Sequence, residues 1–182
     1  SLKKVLSAMS AVSLLPITNL PEIQPGDDLT PLLCSAQPAI EPGDILVVTQ
    51  KVVSKSEGRL VRLDSVTPSP RALEIGQKWE KDPQLVELVL QESQRLLREE
   101  RGVLISLTRQ GFVCANAGVD LSNAPGPEIA VLLPEDPDAS ARTLRTDLQR
   151  GGAGEIVRFP PTSGWYAGID HRDALGLVVG AG

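Results

Sequence analysis

Asp120 stands between two asparagines, Asn116 and Asn123, where the apolar run Phe112-Val-Cys-Ala gives way to Ala117-Gly118. A carboxylate at the end of a buried strand loses hydration unless a cation or several donors replace it. Asparagine side chains add neutral oxygens and amide donors, a set suited to a hard divalent ion or to the polar edges of a nucleotide. The same residues could equally close a tight loop through side-chain to backbone hydrogen bonds, and one carboxylate does not build a metal site. A second candidate is Gln50-Lys51-Val-Val-Ser-Lys55, directly after the apolar run Ile45-Leu-Val-Val-Thr49. Polar groups at the end of such a strand are where open α/β sheets bind ligands, and lysine is a mobile counter-charge for a polyphosphate. A solvated turn carrying surface lysines is the plainer alternative. The pattern G-x-x-x-x-G-K-[ST] is absent, which excludes the common P-loop. His171, the sole histidine, lies beside Asp170 and Asp173 and reads as a surface residue. No Ser-His-acid order or G-x-S-x-G supports nucleophilic hydrolysis.

Those groups need elements to hold them. Val12 to Ile17 reads as a short strand, and after a turn-rich connection Asp27 or Asp28 could cap a helix over Leu29 to Cys34. Ile45 to Thr49 is short, β-branched and bounded by turn signals, which fits a strand covered on both faces. Arg71 to Glu100 reads as helix in two parts divided near Asp82-Pro83. Leu85, Leu88, Val89, Leu96 and Leu97 would form its apolar face, with Glu87, Gln91, Gln94, Arg95, Arg98 and Glu99 solvated opposite and Glu92 and Ser93 at the border. Gly102 to Leu107 and Phe112 to Ala115 pair as strands around a Gln110-Gly111 turn, and Ala130 to Leu133 forms another. Asp138 or Ser140 would cap a helix carrying Leu144 and Leu148 and ending at Gly151-Gly152. Ala174 to Gly182 is small and apolar and could begin a further strand or a turn. The order reads as α/β or α+β.

The 182 residues fit one ordinary domain, and the net charge of -5, spread without a basic stripe, argues against nucleic acid as a partner. Cys34 and Cys114 lie far apart among apolar neighbours and read as buried thiols, neither zinc-binding nor disulfide-forming. No run approaches the roughly 20 apolar residues that span a bilayer. Residues 1–13 read as a leader or frayed N-terminus, and the expected location is cytoplasmic, without membrane association.

Four segments, in order, carry a resemblance: Leu15-Pro-Ile-Thr-Asn-Leu-Pro-Glu-Ile23, Gly43-Asp-Ile-Leu-Val-Val-Thr-Gln-Lys-Val-Val-Ser-Lys-Ser-Glu-Gly-Arg59, Val113-Cys-Ala-Asn-Ala-Gly-Val-Asp-Leu-Ser-Asn123 and Leu132-Leu-Pro-Glu-Asp-Pro-Asp-Ala-Ser-Ala141. They resemble consecutive signatures of the coenzyme F420 gamma-glutamyl ligase family (coenzyme F420-0:L-glutamate ligase) over about residues 14–150. The resemblance implies an α+β fold with a mixed sheet and packed helices, and an intertwined homodimer. It implies GTP-dependent addition of L-glutamate, through an amide bond, to the coenzyme F420 precursor by way of an acyl phosphate. The implied ions are Mn2+ or Mg2+, with K+ as an optional addition.

By the same resemblance Asp120 matches a metal ligand, and Leu20, Pro21, Gln50, Lys51, Lys55 and Asn123 match GTP-contacting positions. Lys55 and Asp120 become the candidate catalytic pair. Beyond Gly151 the family continues into D-x-x-G-R-x-W-R, whereas this chain has Glu155-Ile-Val-Arg-Phe-Pro-Pro-Thr-Ser-Gly-Trp-Tyr-Ala-Gly168. Trp165 and Gly168 echo the motif faintly, and the spacing does not make Asp170 its replacement. Residues 151–182 are therefore expected to be a divergent or truncated segment. A catalytically inactive or partner-dependent GTP- and metal-binding module is the alternative.

Overall fold

Apolar residues at helical and at alternating spacing gather into two cores. The computed structural model describes residues 15–35, 45–122, 124, 126, 128–150 and 176–180. In chain order the elements are α1 (Leu29–Cys34), β1 (Ile45–Thr49), α2 (Gln50–Ser56), β2 (Leu60–Arg62) and a 3-10 turn at Leu63–Ser65. Next come α3 (Pro70–Trp79), α4 (Pro83–Gln91), β3 (Ser93–Glu100), β4 (Val103–Thr108), β5 (Val113–Ala115) and a second 3-10 turn at Asn116–Gly118. The last are β6 (Ile129–Val131), α5 (Pro137–Arg150) and β7 (Gly176–Gly180), the strand foreshadowed near the C-terminus. Among the described residues this is an α+β arrangement of packed helices and three small sheets: β1–β7, β2–β6 and β3–β4–β5. The described pairings are antiparallel rather than mixed.

The first core joins Ile23, Leu29 and Leu33 to Leu46 and Val48 of β1, Val53 of α2, and Leu144 and Leu148 of α5. Asp28 caps α1, accepting from the Thr30 N–H at 2.9 Å. At α5 the expected cap moves to Asp136, which accepts from the Ala139 N–H at 2.8 Å, because Pro137 takes the first helical position, where no N–H is needed. In β1 Leu46 and Val48 are buried while Val47 is 61% exposed, so the expectation of cover on both faces is corrected. An antiparallel strand needs only one covered face.

The second core gathers Ile75 of α3, Val86, Leu88 and Val89 of α4, Leu104 of β4, and Ala117, Val119, Ala130 and Leu132 around β6. Here the expected helix from Arg71 to Glu100 is corrected at its end. Helices occupy Pro70–Trp79 and Pro83–Gln91, but Ser93–Glu100 is a strand paired with β4. Arg101 and Gly102 have φ of 50° and 76°, the two-residue turn whose twist suits an antiparallel hairpin. Leu, Arg and Glu are good helix formers, but propensity is a small effect per residue and the hairpin pairing overrides it. Glu99, expected on a solvated face, instead accepts from Arg71 at 2.6 Å, Lys78 at 2.9 Å and the Trp79 indole at 2.9 Å. Glu87 likewise turns to the N-terminus of α3, accepting from the Ser69 N–H at 2.9 Å.

Other expectations shift in detail. Leu15 to Ile17 form no strand, Thr18 makes an isolated bridge, and residues 12–14 lie outside the described residues. Both cysteines are free, but Cys34 is exposed and Cys114 only partly buried, which corrects the expectation of two buried thiols. Cys34 ends a six-residue helix whose buried face belongs to Leu29 and Leu33. His171, Asp170, Asp173, Trp165, Gly168 and Gly151-Gly152 lie outside the described residues. Among the described residues no helix is long and apolar enough to cross a membrane.

Candidate functional site

The seam between the two cores carries the candidate residues. Helix α2 begins as β1 ends, with Thr49 extended at its N-cap, and it buries Val53, Ser54 and Lys55. Gln50 is held inward: its amide donates to the Leu132 carbonyl at 3.0 Å and to Ser54 Oγ at 2.6 Å. This ties a helix of the first core to a residue of the second. Arg59 adds a second tie, donating to the Leu133 carbonyl and to buried Glu92, each at 2.8 Å. Neither Arg59 nor Glu92 was a candidate from sequence, since a border glutamate gives no sign of a partner 33 positions away.

The break after β5 has a geometric cause. Asn116, Ala117 and Gly118 all have positive φ, at 50°, 52° and 72°. A Cβ on Gly118 would stand 2.7 Å from two Leu133 side-chain carbons, so only glycine fits. The left-handed turn, with Ala117 and Val119 buried, redirects the chain to bridge Val131. Asp120 donates its N–H to the Val131 carbonyl at 3.0 Å and accepts from the Val131 N–H at 2.8 Å. Strained conformations of this kind persist where surrounding packing over-determines them.

So placed, Asp120 meets Lys51. The ammonium lies 2.6 Å from Oδ2 and donates to Ser122 Oγ at 2.7 Å. Ser122 in turn donates its N–H to Oδ1 at 2.8 Å and its hydroxyl to Oδ2 at 2.9 Å. Partial burial pushes the Asp120 carboxyl upward, but the hydrogen bonds from Lys51 and Ser122 together outweigh it and hold the group below its ordinary range. One turn along α2, Lys55 lies 2.5 Å from Glu22, on the loop after Leu20 and Pro21. Leu20 packs against the first core while Pro21 is exposed. The Gly26 N–H fastens this loop to the Ser56 carbonyl at 2.8 Å.

The structure thus brings together Lys51 and Asp120, sets Lys55 on the same helix, and places Leu20 and Pro21 beside Glu22. It uses Gln50 as an anchor, and Asn123 lies outside the described residues. Glu22 was not singled out from sequence, although it sits within the first quoted segment. A hard divalent ion takes about six oxygens. Asp120 offers one carboxylate already engaged by Lys51 and Ser122, and among the described residues no three His, Cys, Asp or Glu side chains converge on a possible ion. The described residues alone do not fit a metal centre.

Comparison with known proteins gives these groups a setting. The family model for F420-0:Gamma-glutamyl ligase matches residues 18–156. A Methanopyrus kandleri protein named coenzyme F420:L-glutamate ligase is 46% identical over 128 residues, 70% of this chain and 50% of its own length. Proteins of the same name from Methanothermobacter thermautotrophicus and Archaeoglobus fulgidus are 40% and 44% identical, each covering 93% of this chain and 68% and 66% of their own lengths. The chain therefore spans between half and about two thirds of the length of these relatives. With the family model covering every seam residue described above, the chain belongs to the F420-0:gamma-glutamyl ligase family.

Proposed function

We propose that this chain forms part of a GTP-dependent ligase that joins L-glutamate to a coenzyme F420 precursor. Beyond family membership, one observation carries the reading: Lys51 and Lys55 stand four residues apart on α2, with Asp120 beside the first of them. Side chains four apart on a helix lie side by side, so the two ammonium groups can follow adjacent phosphates of one triphosphate.

In the reaction envisaged, a carboxylate oxygen of the precursor attacks the γ-phosphorus of GTP, and GDP departs with the electron pair of the broken P–O bond. The glutamate amine then attacks the acyl carbon, phosphate leaves, and the amine loses a proton as the amide forms. Lys51 and Lys55 offset the charge that moves with the phosphoryl group. Asp120, in this reading, keeps Lys51 oriented and offers one oxygen to Mn2+ or Mg2+, with further ligands from beyond the described residues. Leu20, Pro21, Gln50 and Asn123 are proposed as the remaining GTP contacts, within a homodimer.

That no three His, Cys, Asp or Glu side chains converge among the described residues favours a second reading, a nucleotide-binding module whose catalysis depends on a partner. Transfer of isotopically labelled glutamate to the precursor, with GTP and Mn2+, separates the two. The ligase reading expects transfer by the purified chain and its loss in Asp120→Asn. Intact GTP binding without transfer in either protein would replace it with the module.

A further inference from the structure

The two lysines of α2 are held in unlike ways. Asp120, the partner of Lys51, is fixed by its backbone bridge to Val131 and by two donors from Ser122. Glu22, the partner of Lys55, reaches in from a loop, and its side chain is 67% exposed while that of Lys55 is only 11% exposed. A sequestered ammonium requires a counter-charge, whereas an exposed carboxylate regains its hydration at little cost once it lets go. The first pair is a fixed fitting and the second is exchangeable.

We infer that Glu22 is an intramolecular competitor for Lys55: an anionic ligand reaches that lysine only by displacing the Glu22 carboxylate. Resting on the proposed nucleotide site, this assigns Glu22 a role in setting how much anionic charge a ligand must bring. A polyphosphate, with several charged oxygens in reach of both lysines, displaces it. An anion reaching Lys51 alone leaves it in place. The neighbouring backbone holds Glu22 ready to return, since Leu20 packs against the first core before it and buried Ile23 and the Gly26 contact to α2 anchor the chain after it.

Calorimetric titration of GTP and of inorganic tripolyphosphate into the full chain tests this, with Glu22→Gln, Lys55→Met and the double variant alongside. Removing an exchangeable pair of this kind is expected to tighten binding of both probes about two- to fivefold in Glu22→Gln. In the Lys55→Met background the Glu22 substitution is expected to have no effect. Glu22→Asp, which keeps the charge but shortens its reach, is expected to fall between wild type and Glu22→Gln. GTP binding that is unchanged or weakened in Glu22→Gln overturns the competitor and leaves the ligase reading standing. Tighter tripolyphosphate binding without any GTP binding upholds the competitor and removes the nucleotide reading. Failure of folded Glu22→Gln to bind either probe overturns both.

Discussion

Around the second core, the cations stay on the rim. Glu99 collects Arg71 and Lys78, whose side chains remain 51% and 55% exposed. At the seam the cations are drawn inward: Lys51, Lys55 and Arg59 keep only 13%, 11% and 21% of their side-chain exposure. Each meets a carboxylate from a distant stretch of chain, Asp120, Glu22 and Glu92 respectively. Rim pairs are screened by water and contribute little, whereas an inward cation stripped of its partner cannot easily rehydrate. The difference sets the seam apart as the place where cations are held inward by carboxylates from distant stretches of chain.

The sharpest way to break this comparison is to remove one carboxylate from each side of it. Glu92→Ala is expected to cost about 3–5 kcal/mol, because it strips Arg59 of its carboxylate partner at a site where the arginine side chain is only 21% exposed. Glu99→Ala is expected to cost about 1 kcal/mol, since Arg71 and Lys78 turn to water. Urea unfolding of the two variants reads both values, and equal losses would dissolve the distinction between seam and rim.

Next in size is the turn that delivers Asp120. Gly118→Ala puts a methyl against Leu133 and a side chain at a positive φ. The expected loss is roughly 1–3 kcal/mol, with weakened GTP binding as Asp120 shifts relative to Lys51. A loss of stability with GTP binding unaltered would separate the turn from the site.

The smallest effect is one of pH. Asp120 lies below its ordinary range in the folded chain. Its contribution to stability is therefore fully present above the unfolded value of about 3.9 and is lost as pH falls through the lower folded value. Lys51→Met removes a hydrogen bond and a positive charge, so the carboxyl is expected to titrate at higher pH, visible in its carboxyl carbon NMR shift. An unmoved titration would mean that Lys51 does not hold the group.

Legibility in the sequence followed how local the cause was. The cap at Asp28 and the Leu144/Leu148 face rest on neighbours within one or two turns, and short-range pattern sufficed to find them, whereas the equally local caps at Ser69 and Asp82 were not named. Residues 93–100 misled because their helix-favouring composition yields to pairing with β4 across a turn whose signal, Arg101-Gly102, is only two residues long. The candidate site was legible as types and motifs, with Lys51, Lys55 and Asp120 named from residues alone. Its pairing was not: Lys51 finds Ser122 across 71 positions and Lys55 finds Glu22 across 33, and local periodicity carries no record of such partners. The left-handed turn at 116–118 was visible only as Ala117-Gly118, a hint of a break without its direction.

The central claim is that inward lysines at the seam receive a triphosphate. GTP titration of wild-type chain against Lys51→Met, with folding checked by circular dichroism, tests it most directly. The account predicts affinity lower by roughly ten- to a hundredfold, the worth of one charge-assisted contact. Equal affinity in a folded Lys51→Met protein would contradict it.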